Sequence, residues 1–284
     1  MIRLDAATVL LQWATGGLLY LWVTTRRRQV SLGYGWLLRG TYLLMAAGAL
    51  LTGLRYGEAV PLRDLASAGV VGTSLLALVV SVQRRRAGVA GERGRQTAAS
   101  ERVTAMTGIE RHRADNDADT AEFPPGLDLL APVAGLVGLV AAGVAAGDPA
   151  LLSVARVVVG AAFLGAVTDA MLLGHWYLVQ PGMPRGPLLE LVRWLAVLWP
   201  FEVAVMLWPT GMVSVITGDI DDGYNGILGW MWIACAVSTI ALVAVTRAAL
   251  KERQYSAVMA ATGLLYLAIL TAFGTDLVAR AVLA

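Results

Sequence analysis

The length of its apolar runs constrains this chain more than any other feature. Stretches of about 20 mostly apolar residues recur along it between short polar segments, and that length of helix spans the hydrocarbon core of a bilayer. Buried strands of soluble α/β folds give runs of only about 4–8 residues, so that class is excluded. Lipid offers no water to the backbone, and a single segment satisfies its own amide groups there only as a helix. The composition agrees: 57% of the residues are hydrophobic and 15% charged, where soluble domains carry about a quarter charged.

The pattern predicts an all-α fold, a polytopic membrane bundle of about eight transmembrane helices forming a single domain over residues 1–284. The expected spans are Ala6–Thr25, Trp36–Leu54, Leu65–Gln83, Leu127–Ala146, Leu151–Val179, Leu188–Trp208, Ile227–Val245 and Ala257–Val282. Pro200 falls inside the sixth and is expected to kink it. Basic loops stay in the cytoplasm. Arg26–Arg28, Arg84–Arg86, Arg185 and the group Arg247, Lys251 and Arg253 fall on one side. Arg55, Arg63 and the acidic Asp219, Asp221 and Asp222 fall in connections on the other. Both termini are therefore expected outside the cytoplasm, in a multi-pass protein of the cell (inner) membrane.

Residues 84–125 form the one sizeable polar loop, basic at first and acidic later (Asp115, Asp117, Asp119, Glu122). It lacks the apolar residues of a core, so a flexible segment or a short surface helix is expected. Its arginines are expected to lie against anionic lipid headgroups, with docking of a protein partner at the cytoplasmic face as the alternative. A net charge of +2 gives no reason to expect nucleic acid.

Cofactor chemistry is narrowed by counting. The chain has two histidines and one cysteine; His112 belongs to the polar loop and Cys235 lies in an apolar run. His175 is then the one histidine at membrane depth, which argues against bis-histidine haem within one chain. No zinc or di-iron ligand spacing occurs, and Asp219-Ile220-Asp221-Asp222-Gly223 lacks the later ligands of a calcium loop. No metal is expected, and no catalytic motif assigns an enzyme class.

Ionisable side chains at bilayer depth are costly and are functional candidates by default. Toward the cytoplasmic side stand Arg39, Asp169, His175, Tyr177 and Arg193. A carboxylate, an imidazole and a phenol near one interface suit a quinone headgroup, which needs partners for its carbonyls and a proton-exchanging group. Asp169 needs a partner, and Arg39 or Arg193 is expected to supply it. Toward the other side stand Arg156, Glu202, Asp276 and Arg280, two cations and two anions expected to form a structural ion-pair network.

Three functions follow in order: a membrane subunit of an electron-transfer assembly with a quinone site at the cytoplasmic interface, a small-solute or proton-coupled transporter, and a non-catalytic assembly factor. In helix count alone the chain resembles the quinol-binding membrane subunits of molybdopterin and iron–sulfur oxidoreductases, and no motif carries that likeness further.

Overall fold

A computed structural model describes residues 4–56, 59–107, 121–180, 182–252 and 254–284. His112, Asp115, Asp117, Asp119 and Arg253 lie outside the described residues. Ten α-helices and no strand occur among the described residues. They are α1 (Ala6–Thr25), α2 (Leu32–Arg55), α3 (Pro61–Gln83), α4 (Ala90–Thr107), α5 (Leu130–Ala145), α6 (Ala150–Val179), α7 (Gly186–Leu207), α8 (Gly211–Thr217), α9 (Ile227–Ala249) and α10 (Tyr255–Val282). Among the described residues seven segments, namely α1, α2, α3, α6, α9, α10 and the stretch Pro125–Ala145 that contains α5, are long and apolar enough to cross a membrane. The pair α7–α8, bent by 65° at the break between them, makes an eighth if it counts as one span.

The helix starts follow local chemistry. Asp5 precedes α1 and accepts hydrogen bonds from the amides of Ala7 and Thr8, two donors that the first turn leaves without a helical partner. Pro61 opens α3, where its missing amide hydrogen costs nothing. Pro200 stays inside a continuous α7, and the sharp bend falls further on, at residues 208–210. Residues 90–107 form a polar surface helix.

α6 is the axis of the bundle: it packs against α1, α5, α7 and α10. α1, α2, α3 and α5 pack together on one side of it, with α7, α9 and α10 on the other. α1 and α6 bury the largest shares of their length. Lipid is as apolar as a leucine side chain, so helices in a membrane associate through close packing and polar contacts, and small residues let backbones approach. That happens where α1 crosses α6. A Cβ built on Gly16 would run into the Ala161 carbonyl oxygen, and one on Gly165 into the backbone of Gly16.

The arginine-rich loops gather at one end of the bundle. There Glu190 at the start of α7 pairs with Arg26 and Arg27, and Glu122 pairs with Arg28 and Arg93. Arg185 donates to the carbonyls of Leu250, Glu252 and Gln254, tying the α6–α7 connection to the α9–α10 turn. Arg63, expected in a loop at the opposite end, instead sits buried in the first turn of α3, paired with Asp5 and Asp64. Pro61 starts that helix four residues before the expected Leu65, which draws Arg63 into it.

The α1–α6 contact makes a sharp prediction. Gly16→Ala should lower stability in mild detergent by about 3 kcal/mol, the upper end of ordinary overpacking costs. Gly40→Ala, where an added Cβ meets nothing within 4 Å, should leave stability unchanged or raise it by up to about 1 kcal/mol. Equal thermal unfolding of the two variants would remove the close crossing.

Candidate functional site

Asp169 lies ten residues before the end of α6, so it sits about 15 Å in from that end. It is fully buried. Its Oδ1 accepts a hydrogen bond from the Tyr42 hydroxyl of α2, while its Oδ2 has no hydrogen-bond partner among the described residues. Tyr34, two turns before Tyr42 on α2, donates to the Asp169 main-chain carbonyl at 3.4 Å. Tyr20 of α1 is within electrostatic range of the carboxylate. The Tyr42 ring reaches across because Gly17 leaves a notch in α1; a Cβ there would overlap the ring. One residue before Asp169, Thr168 accepts a hydrogen bond from the Trp13 indole at 2.9 Å.

No cation contacts Asp169 among the described residues. A carboxylate in so dry a place is costly as an anion, and the Tyr42 hydroxyl relieves part of that cost without neutralising it. One oxygen remains open to a proton. The Asp169 side chain, carried by α6, is thus hydrogen-bonded from α2 alone, with Tyr20 of α1 in electrostatic range.

The other residues expected beside it have separate partners. Arg39 is buried and holds Asp128 in a two-pronged pair, Nε to Oδ1 and Nη2 to Oδ2, both at 2.7 Å. It also lies over the Phe123 ring, 4.3 Å from its centroid. Arg193 is exposed on α7. The expected cationic partner of Asp169 is therefore replaced by Tyr42. Arg39 precedes Tyr42 by three residues on α2, which sets it about 4.5 Å nearer the basic end, level with Asp128. Tyr177 is buried but donates to the Pro184 carbonyl. His175 is exposed and shares a 3.2 Å hydrogen bond between its Nδ1 and the Tyr266 hydroxyl of α10.

The second set of charges lies toward the opposite end. Arg280 Nε bonds to Asp276 Oδ2 at 2.7 Å on the same face of α10. Gln12 of α1 bridges the pair, accepting from Arg280 and donating to Asp276 Oδ1 at 3.3 Å. Glu202 of α7 is fully buried, within electrostatic range of Asp276 and Arg280, and neither of its carboxylate oxygens has a hydrogen-bond partner among the described residues. Arg156 contacts no carboxylate among the described residues: it donates to the carbonyls of Val205 and Trp208 at 2.9 and 2.7 Å. It thereby caps the last turn of α7, where a cation also suits the helix dipole. A cavity of about 490 Å³ opens beside this set, bordered by Arg280, Arg63, Asp5 and Thr8 and rimmed by the exposed Tyr56 and Leu4.

Among the described residues no three His, Cys, Asp or Glu side chains gather as metal ligands. Asp222 spends both oxygens on backbone amides, Oδ1 on Tyr224 and Gly226 and Oδ2 on Leu228, fixing the turn that starts α9. These amide hydrogen bonds, Gly226 foremost, hold its carboxyl below the usual carboxylate range.

The Arg39–Asp128 pair gives the second prediction. Removing one partner of a buried pair leaves an uncompensated charge, at a cost of about 3–5 kcal/mol. Asp128→Ala should lower thermal stability accordingly, and Arg193→Ala should change it by no more than about 0.5 kcal/mol. Indistinguishable unfolding curves would mean that the pair carries no such weight. Comparison of the chain with protein-family models, with curated proteins and with solved structures returns no match.

Proposed function

We propose that the chain crosses the cell membrane eight times, with both termini outside the cytoplasm, and acts as a proton-coupled transporter of a small solute with Asp169 as its proton-binding group. The observation that carries this reading is the state of Asp169: fully buried, held by Tyr42 through one oxygen, with the other oxygen lacking a partner. Intramembrane carboxylates of this kind mark proton relays. Two features support it. The broken α7–α8 pair has the form of the discontinuous helices that line transport sites. Asp5, which caps α1, is followed along that helix by Thr8, Gln12 and Thr15 at intervals of three or four residues, a polar line on the helix that packs on α6. The quinone-headgroup alternative is weaker, since Arg39, Asp169, His175 and Tyr177 each bond elsewhere.

The proposed orientation puts the exposed Arg27, Arg28, Arg85 and Arg86 at the cytoplasmic leaflet. Each would gain about 1 kcal/mol there from anionic lipid. Reporter fusions after Arg86 should read as cytoplasmic, and fusions after Tyr224 and at Ala284 as external. A cytoplasmic carboxyl terminus would overturn the eight-span topology.

Transport is tested in vesicles loaded with a pH-sensitive dye, under an imposed pH gradient, with amino acids, sugars and organic acids added as separate mixtures. The wild type should show a proton flux that depends on one class of solute. Asp169→Asn, which keeps the side-chain shape, should abolish it while the protein still inserts and unfolds at the wild-type temperature. Flux retained in Asp169→Asn, or no flux with any solute class, would overturn the reading.

A further inference from the structure

We propose that Glu202 is a second proton-binding site, reached from the cavity beside Arg280 and separate from Asp169. The inference extends the proton-coupled reading, but proton binding at Glu202 stands or falls without any transport being observed.

Charge and hydrogen-bond accounting lead to it. Both oxygens of Asp276 are engaged, Oδ1 by Gln12 and Oδ2 by Arg280. Arg280 is engaged by Asp276 and Gln12. These two opposite charges cancel. Glu202, within their electrostatic range and as fully buried as they are, then leaves one negative charge in a region closed to water. A single cation neutralises it. The neighbouring apolar cluster favours one choice: Met206, one turn beyond Glu202 on α7, packs in it with Trp232 and with Val278 and Ala279, which precede Arg280. These side chains offer no oxygen atoms to complete the shell of a metal cation, whereas a proton needs only the carboxylate itself. The bond formed is O–H on Glu202 and the bond broken is O–H of a hydronium ion entering from the cavity, which is left as water.

Access is set by Arg280, which borders the cavity on one side and holds Asp276 and Gln12 on the other. The cavity's rim residues Tyr56 and Leu4 are 84% and 56% exposed, while Arg280 is 0% exposed. The cavity ends at Arg280, which has no exposed surface of its own, so its water meets Glu202 only when that side chain moves. Asp169 is a distinct site: Gly160 of α6 packs against Gln12 and Asp276, and Asp169 lies nine residues further along the same helix, about 13 Å away.

The test is infrared difference spectroscopy of the whole protein in lipid, following the carbonyl stretch of protonated carboxylic acids in water and in heavy water. The wild type should show two such bands; Glu202→Gln should remove one and Asp169→Asn the other. Ala145→Leu, which adds apolar bulk to the cavity wall and alters no charge, should slow deuterium exchange of the Glu202 band several-fold and leave the Asp169 band unchanged. A spectrum unaltered by Glu202→Gln would overturn the site. A Glu202 band that disappears when sodium chloride replaces choline chloride at constant pH would assign the site to a metal cation and overturn the proton. Unchanged exchange in Ala145→Leu would overturn the access route. Loss of the Asp169 band alone from the expected pair would count against the transport reading and leave Glu202 standing.

Discussion

The backbone contact between α1 and α6 is the constraint on which the rest of the bundle depends. Helices in lipid gain nothing from hiding apolar surface from water, so their association rests on how closely they fit. Gly16 and Gly165 bring two backbones together, and the next residue, Gly17, leaves room for the Tyr42 ring to pass to Asp169. A larger side chain at either position would separate the helices and withdraw the phenol from the carboxylate. Packing and chemistry are thus set by neighbouring atoms of one helix turn.

The buried charges divide into those the fold has completed and those it has left open. Arg39 with Asp128, Arg63 with Asp5 and Asp64, and Arg280 with Asp276 and Gln12 are matched donor to acceptor. Such pairs are hard to break and hold helices in register. Asp169 Oδ2 and the two oxygens of Glu202 are the carboxylate atoms among the described residues that are buried without a hydrogen-bond partner. An open acceptor in a dry interior favours a molecule that can bring it a proton, and this contrast separates scaffold from candidate chemistry more cleanly than residue type does.

The spans were readable because each is decided locally, by a run of apolar residues and the polar group that stops it. Ala6–Thr25 coincides with α1, and the start of α9 at Ile227 and the end of α10 at Val282 are likewise the expected ones. Partnerships across helices were not readable in the same way. Asp169 was expected to meet an arginine because opposite charges attract, yet rotation and depth gave Arg39 to Asp128 and Tyr42 to Asp169. A signal for Tyr42 did exist: Tyr34, Leu38, Tyr42, Ala46 and Ala49 recur at intervals of three or four residues and form the buried stripe of α2. The same spacing placed Asp276 beside Arg280 on α10, but Gln12, the residue that joins them to α1, looks from sequence alone like one uncharged polar residue in an apolar helix.

The tie between Glu190 and Arg26 has a mechanical consequence. It joins α1 to α7 at the basic end and is partly exposed, with side chains 32% and 15% accessible; surface pairs of this kind contribute at most about 1 kcal/mol. At the opposite end α1 is fastened to α10 by Gln12, Asp276 and Arg280, all inaccessible to water. A body pinned firmly at one end and lightly at the other hinges about the firm end. With Gly16 locked against α6 as well, bending of α1 away from α7 would pivot on the stretch from Gln12 to Gly16 and widen first among the arginines, the side from which Asp169 is about 15 Å deep along α6.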